Sequence, residues 1–210
     1  MSTAAAPPGP SDAEALERCV ARGGVAVFPA DTVYGLACDP ESPFAVERLY
    51  QLKRRAAGKP SAVMFFDLGV ALDALPELGE RTRQAMWRLL PGGLTLLLPN
   101  PAGRFPLACG PDRSVLGLRV PRVPWLGGMD RPVLQSSANR AGGGDARRLE
   151  QVPEPIRAAA DLVIDGGELP GAPSTVVDLR RYEGDGSWSV VRQGAVGEDE
   201  LRGALCARAV

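Results

Sequence analysis

Strand-length apolar runs recur along this chain, each bounded by glycine, proline or polar residues, and none is long enough for a helix. VAVF at 25–28, AVMFF at 62–66 and LTLLL at 94–98 are of this kind. Runs this short fit strands buried in a sheet. Between them stand stretches with helical spacing. A helix capped by Ser11 puts Ala15, Leu16, Cys19 and Val20 on one face and ends at Gly23-Gly24. Further helices are expected over about 42–53, 80–90, 154–160 and 198–207, and shorter strands over 116–120, 132–135, 162–164, 175–179 and 188–191. Mixed strands and helices joined by glycine- and proline-rich loops predict an α/β fold: a single domain over 11–210 with a mixed sheet, preceded by a disordered tail over 1–10. At 210 residues, 45% of them hydrophobic, the chain can bury a substantial core.

Composition then narrows the chemistry. There is no histidine, which removes Ser-His-Asp and Cys-His catalysis, histidine-ligated metals and an imidazole general base. Lys plus Arg (24) nearly cancels Asp plus Glu (25), so net charge makes no case for nucleic-acid binding. Cys19, Cys38, Cys109 and Cys206 lie far apart and form no metal or redox motif. No stretch approaches the roughly 20 apolar residues of a membrane span, and the start of the chain has no secretory pattern. A soluble cytoplasmic protein is expected.

Several segments concentrate polar groups where ligands bind. PADTVYGL at 29–36 follows a strand, and strand ends in α/β sheets are common ligand sites, although an ordinary polar turn fits equally well. KRRAAGKP at 53–60 holds both lysines of a chain with 22 arginines. Ammonium groups suit anions as point charges, whereas guanidinium suits planar contact, so the mixture points to more than one anionic group. Charges at a solvated helix end are the plainer explanation. LQSSANRAGGG at 134–144 offers hydroxyls, an amide and backbone N–H groups that can wrap a phosphate, without a Walker pattern. PSTVVD at 173–178 puts two hydroxyls at a strand start, and VRQG at 191–194 closes the next strand.

In this order, with LPGGLTLLLP and LGLRVP between them, the segments resemble the YrdC-like threonylcarbamoyl-AMP synthases over about residues 24–196, in their short, single-domain form. The resemblance implies a twisted sheet around a deep, basic cavity that takes ATP, L-threonine and bicarbonate. It also implies release of threonylcarbamoyl-AMP and pyrophosphate, the first step of a tRNA modification. Carried over by motif position, Thr32, Arg119 and Ser174 are implied for L-threonine, Lys53 and Arg55 for catalysis, and Lys59, Ser137, Asn139 and Arg192 for the nucleotide. Mg2+ is implied as a counter-ion held mainly by phosphates, with no protein ligand identified. A downstream threonylcarbamoyl-transferase complex is the implied partner, with weak RNA contact as a further expectation. Asp145 stands where some members place a phosphate-facing serine, and its acid sits awkwardly near an anion site.

Two other readings compete. One is a carbamoyl-adenylate-forming module for another substrate, and the other is a non-catalytic RNA-binding module, which the scattered aromatics disfavour. As exposed charges, Lys53 and Arg55 should be replaceable by alanine with loss of activity and little loss of stability.

Overall fold

The runs form strands and the stretches between them helices in a computed structural model that describes residues 6–56 and 58–206. Residues 1–5 of the expected tail and Ala207 at the end of the last expected helix lie outside the described residues. Helix α1 (Pro10–Ala21) begins one residue before Ser11, with a different cap from the one expected: the Gly9 N–H donates to the Asp12 carboxylate at 2.8 Å. Pro10 accounts for the shift, since proline suits a first turn where its missing N–H would have no partner. Next come β1 (Ala26–Pro29), β2 (Tyr34–Cys38), α2 (Pro43–Leu52), β3 (Ala62–Met64), α3 (Leu68–Asp73), α4 (Glu80–Leu89) and β4 (Leu94–Pro99). α5 (Pro106–Cys109), β5 (Val115–Arg119), β6 (Val133–Ser137), α6 (Glu154–Ala159) and β7 (Leu162–Val163) follow. β8 (Thr175–Asp178), α7 (Tyr182–Asp185), β9 (Ser189–Arg192) and α8 (Glu198–Cys206) complete the order.

The strands make one mixed, twisted sheet in the order β7-β1-β2-β6-β3-β5-β4-β8-β9. β1 with β7, β3 with β5 and β4 with β8 run parallel, and the other neighbours are antiparallel. β2 was not expected as a strand. Its five residues, YGLAC, are all buried, so no alternation marks them, and the residues before them read as a turn. The turn is real but tighter: Pro29 pairs with Tyr34, so 29–34 closes a hairpin. α3, α5 and α7, of six, four and four residues, are also absent from the expected pattern, being too short to display a helical period.

Alternation along the strands decides what each face carries. On one face Val27, Leu36, Leu134, Val63, Leu118, Leu96 and Val177 build the main core. It is closed by the apolar sides of α2, α4 and α8, including Leu49, Met86 and Leu201. On the other face Ala26, Phe28 and Ala37 lie under α1 and the turn at Pro124–Leu126, through Leu16, Val20 and Leu126. Farther across that second face the side chains change character, and there the cavity lies.

Candidate functional site

Register brings the polar residues of four strands onto this part of the second face. Ala62 pairs with Gln135 and Gly117, Met64 with Arg119, and Thr95 with Val176, which pairs with Arg192. Of these, Ala62, Thr95, Arg119, Gln135, Val176 and Arg192 line a cavity of about 170 Å³ together with Arg55, Ser137, Asp145 and Ser174. Two glycines keep it in shape. A Cβ on Gly35 would come within 2.9 Å of the Gln135 amide and 3.0 Å of the Phe28 ring, pushing a wall residue out of place. A Cβ on Gly194 would fall 2.1 Å from the Pro173 carbonyl, where the VRQG and PST segments cross and Ala195 N–H donates to Pro173 O at 2.8 Å.

Arg119 ends β5 and is only 3% exposed. Its guanidinium donates to Asp31 Oδ1 at 2.7 Å, Gln135 Oε1 at 3.1 Å and Thr32 Oγ1 at 3.4 Å. Burial pulls its pKa down, Asp31 opposes that, and Arg192 adds like-charge repulsion; an arginine nevertheless stays charged. Its Nε and that of Arg55 are buried without a partner. A buried, unpartnered donor costs free energy unless a ligand supplies an acceptor. The cavity is a place for anionic oxygens because three guanidinium groups, those of Arg55, Arg119 and Arg192, stand in its wall. Arg55 is half-buried, lies 5.8 Å from the Tyr50 ring centroid and donates to Pro60 O at 2.5 Å.

Lys53 overturns the expectation of an exposed charge, being only 1% exposed. The turn that follows α2 brings its side chain against the loop after β6. There its ammonium donates to Ser137 O, and to Asn139 O and Asn139 Oδ1 at 2.9 Å each. Three acceptors match the three N–H groups of a charged ammonium. Burial, then the nearby Arg55, lower its pKa to about 8, against the opposing pull of Asp145. Alanine at position 53 would strand buried acceptors and so cost stability as well as any activity, contrary to the sequence expectation.

Asn139 sits behind the cavity wall and organises the glycine-rich loop. Its Nδ2 donates to Gly143 O at 2.8 Å, Gly144 O at 3.3 Å and Asp145 Oδ1 at 3.1 Å, while its Oδ1 also accepts from Ser137 Oγ at 2.9 Å. Opposite, Ser174 Oγ lies 2.8 Å from Thr95 Oγ1, and Arg192 donates to Ser174 O at 2.7 Å. Arg55, Arg119, Ser137, Ser174 and Arg192 of the sequence-derived set thus line one cavity, with Lys53 and Asn139 immediately behind it. Thr32 touches Arg119 but faces a neighbouring hollow that it shares with Asp31, Gly92, Gly93 and Arg122. Lys59 is exposed and is not part of the cavity wall.

Asp31, Thr95 and Gln135 were not singled out from the sequence. A signal existed for one of them: Thr95 is a lone polar residue inside the apolar run LTLLL, a pattern that marks a face with something other than core against it. Asp31 became legible only when the fold set it beside Arg119, 88 residues away in sequence.

Comparisons with known proteins give the family and the fold. The Sua5/YciO/YrdC family model, described as telomere recombination, matches residues 18–194. A protein of Xanthomonas campestris pv. campestris named threonylcarbamoyl-AMP synthase is 33% identical over 177 residues, covering 80% of this chain and 94% of its own. Among solved structures, P. abyssi Sua5 complexed with L-threonine superposes with a TM-score of 0.78 at 25% identity, over 93% of this chain and 57% of that one. E. coli YciO superposes with a TM-score of 0.71 at 25% identity, over 92% and 94%. This chain therefore spans little more than half of the P. abyssi protein but nearly the whole length of the other two. With the family model covering all the segments that build the cavity, this chain belongs to the Sua5/YciO/YrdC family.

Proposed function

We propose that this protein is a threonylcarbamoyl-AMP synthase, converting L-threonine, bicarbonate and ATP to threonylcarbamoyl-AMP and pyrophosphate. The observation that carries the chemistry is the cavity walled by Arg55, Arg119 and Arg192. The relatives named for this activity supply the substrate class. In the reaction, the threonine amine adds to CO2 formed from bicarbonate and loses a proton, giving a carbamate. A carbamate oxygen then attacks the α-phosphorus of ATP and pyrophosphate leaves. No covalent enzyme intermediate is needed, so a site without histidine suffices, provided that it holds two anions in line and offsets the charge that develops.

In this reading Arg119, with Thr32 and Ser174 beside it, receives the threonine carboxylate. Arg55 faces the reacting carbamate and phosphates, with the Lys53 ammonium behind it holding the loop that carries Ser137 and Asn139, and Ser137, Asn139, Lys59 and Arg192 serve the nucleotide. Lys59 would have to swing inward from its exposed position. An apolar hollow formed by Pro60, Ala62, Leu97, Val115, Gly117 and Val176 adjoins the cavity and gives a purine a flat surface. The cavity wall does not fit a protein-ligated magnesium site. Asp145 is its one carboxylate, and among the described residues no three His, Cys, Asp or Glu side chains cluster as a metal site. Mg2+ would accordingly arrive on the triphosphate, held by phosphate oxygens and water.

The product is a labile mixed anhydride, so a transferase that passes the threonylcarbamoyl group to tRNA is the expected partner, and weak RNA contact would be secondary. No helix among the described residues is long and apolar enough to cross a membrane, which is compatible with a cytoplasmic site of action. The decisive assay is pyrophosphate release from ATP with bicarbonate, with and without L-threonine and with L-serine as control. Strong threonine dependence is expected. Release that ignores the amino acid would favour a carbamoyl-adenylate module for another substrate, and no release would favour a non-catalytic binding role.

A further inference from the structure

Asp145 is the one carboxylate in the wall of a cavity that otherwise presents three arginines, yet it makes no ion pair with any of them. An acid here weakens anion binding unless it does something else. Its hydrogen bond shows what. Asp145 Oδ1 accepts from Asn139 Nδ2 at 3.1 Å, and Asn139 Oδ1 accepts from Lys53 Nζ at 2.9 Å. The amide thus stands between an anion on its nitrogen side and a cation on its oxygen side, which is the orientation that both charges favour. We propose that Asp145 is a positioning residue that acts through Asn139 on Lys53, fixing the amide that joins them and keeping the Lys53 ammonium charged and seated behind the cavity.

Lys53 needs such help. Its ammonium is buried, and its neighbour Arg55, on the segment after α2, carries like charge. The other groups around it are the carbonyls of Ser137 and Asn139 and the Asn139 amide oxygen, none of which bears a full charge. Asp145, on the loop after β6, is therefore the charged group that favours the ammonium form, in line with its upward effect on a pKa otherwise lowered to about 8. Were Lys53 to lose its proton, one of three acceptors would go unpaired and the loop carrying Ser137 and Asn139 would lose its anchor. The assignment rests on the proposed reaction only for its catalytic consequence; the effect on Lys53 itself does not depend on that reading.

The chain contains two lysines, which makes the test direct. Lysine labelled with 13C at the ε-carbon gives two signals, Lys53 and the exposed Lys59, to be followed by NMR against pH in the wild type and in Asp145→Asn, Asp145→Ala and Asp145→Glu. The Asn variant keeps an oxygen for the Asn139 amide and removes only the charge. The Lys53 midpoint should fall by about half a pH unit or more in Asp145→Asn and Asp145→Ala and return in Asp145→Glu, with Lys59 unmoved. The alkaline limb of threonine-dependent pyrophosphate release should move to lower pH by the same amount. A Lys53 midpoint equal to the wild type's in Asp145→Asn overturns the proposal, as does a moved midpoint with an unmoved alkaline limb. Absence of threonine-dependent release from the wild type would instead count against the proposed reaction and leave the NMR comparison intact.

Discussion

The second face of the sheet holds two regions built on one backbone plan. Over β1 and β2 it presents Ala26, Phe28 and Ala37 to α1, and the result is core. Over β6, β3, β5, β4 and β8 the same alternation presents Gln135, Ala62, Arg119, Thr95 and Val176, and the result is a cavity. Both regions combine parallel and antiparallel pairs; they differ in side chains and in what lies above them. A helix can cover an apolar surface at a gain of about 25 cal/mol per Å². It cannot cover Arg119 and Gln135 without leaving polar groups unsatisfied. The boundary runs through β3 and β6, where Met64 and Val133 belong to the covered region while Ala62 and Gln135 line the cavity.

That contrast can be broken first at Arg119, where the proposed site depends on a buried charge. Arg119→Ala leaves Asp31 buried without its partner, so a stability loss of about 3–5 kcal/mol by urea unfolding is expected, with loss of threonine-dependent pyrophosphate release of about 100-fold or more. Full turnover in this variant would remove Arg119 from the site. Phe28→Ala attacks the covered region instead. It should cost about 3–5 kcal/mol by cavity formation yet leave turnover per folded molecule within about twofold. A selective loss of turnover there would mean that the two regions are not independent.

Lys53 sharpens the comparison through pH. In the unfolded chain its ammonium persists to about pH 10, whereas in the folded protein burial lowers the pKa to about 8. Between these values the unfolded state binds the extra proton, so the Lys53 contribution makes stability rise with pH across that window. The penalty is fully present below about pH 8, and its relief amounts to at most about 3 kcal/mol. Lys53→Met should remove this component, seen as the difference between the two proteins' unfolding free energies at pH 7.5, 9 and 10. Parallel profiles would count against a buried, charged Lys53. The smallest change is Thr95→Val, which preserves shape and removes the hydroxyl that meets Ser174. Stability should shift by about 1 kcal/mol or less, whereas the KM for threonine should rise several-fold. An unchanged KM would separate this hydrogen bond from substrate binding.

The sequence exposed the architecture wherever an element was long enough to show its period. α2, α4 and the strands β1, β3, β4 and β5 fall where apolar spacing puts them. β2 escaped because all five of its residues are buried, and burial on both sides erases alternation. Most of the cavity was legible as well, since KRR is a basic segment at the end of α2 and SSAN, PST and VRQG are short polar segments at strand ends. Lys53 was misjudged for a specific reason: charge predicts exposure on average, and only the packed loop after β6 supplies the three oxygens that make burial tolerable.

By itself, then, the sequence determined the strand and helix alphabet, the exclusion of histidine chemistry and the set of polar segments from which a site could be made. These follow from local spacing and composition, which need no partner. Only the tertiary structure decided that Asp31 would hold Arg119, that Asn139 would join Lys53 to Asp145, and that one half of a face would be core and the other half cavity. Those outcomes depend on strand order and register between distant segments, with Asp31 and Arg119 88 positions apart and Lys53 and Asn139 86, and nothing in a local stretch of chain records which distant residue will be set beside it.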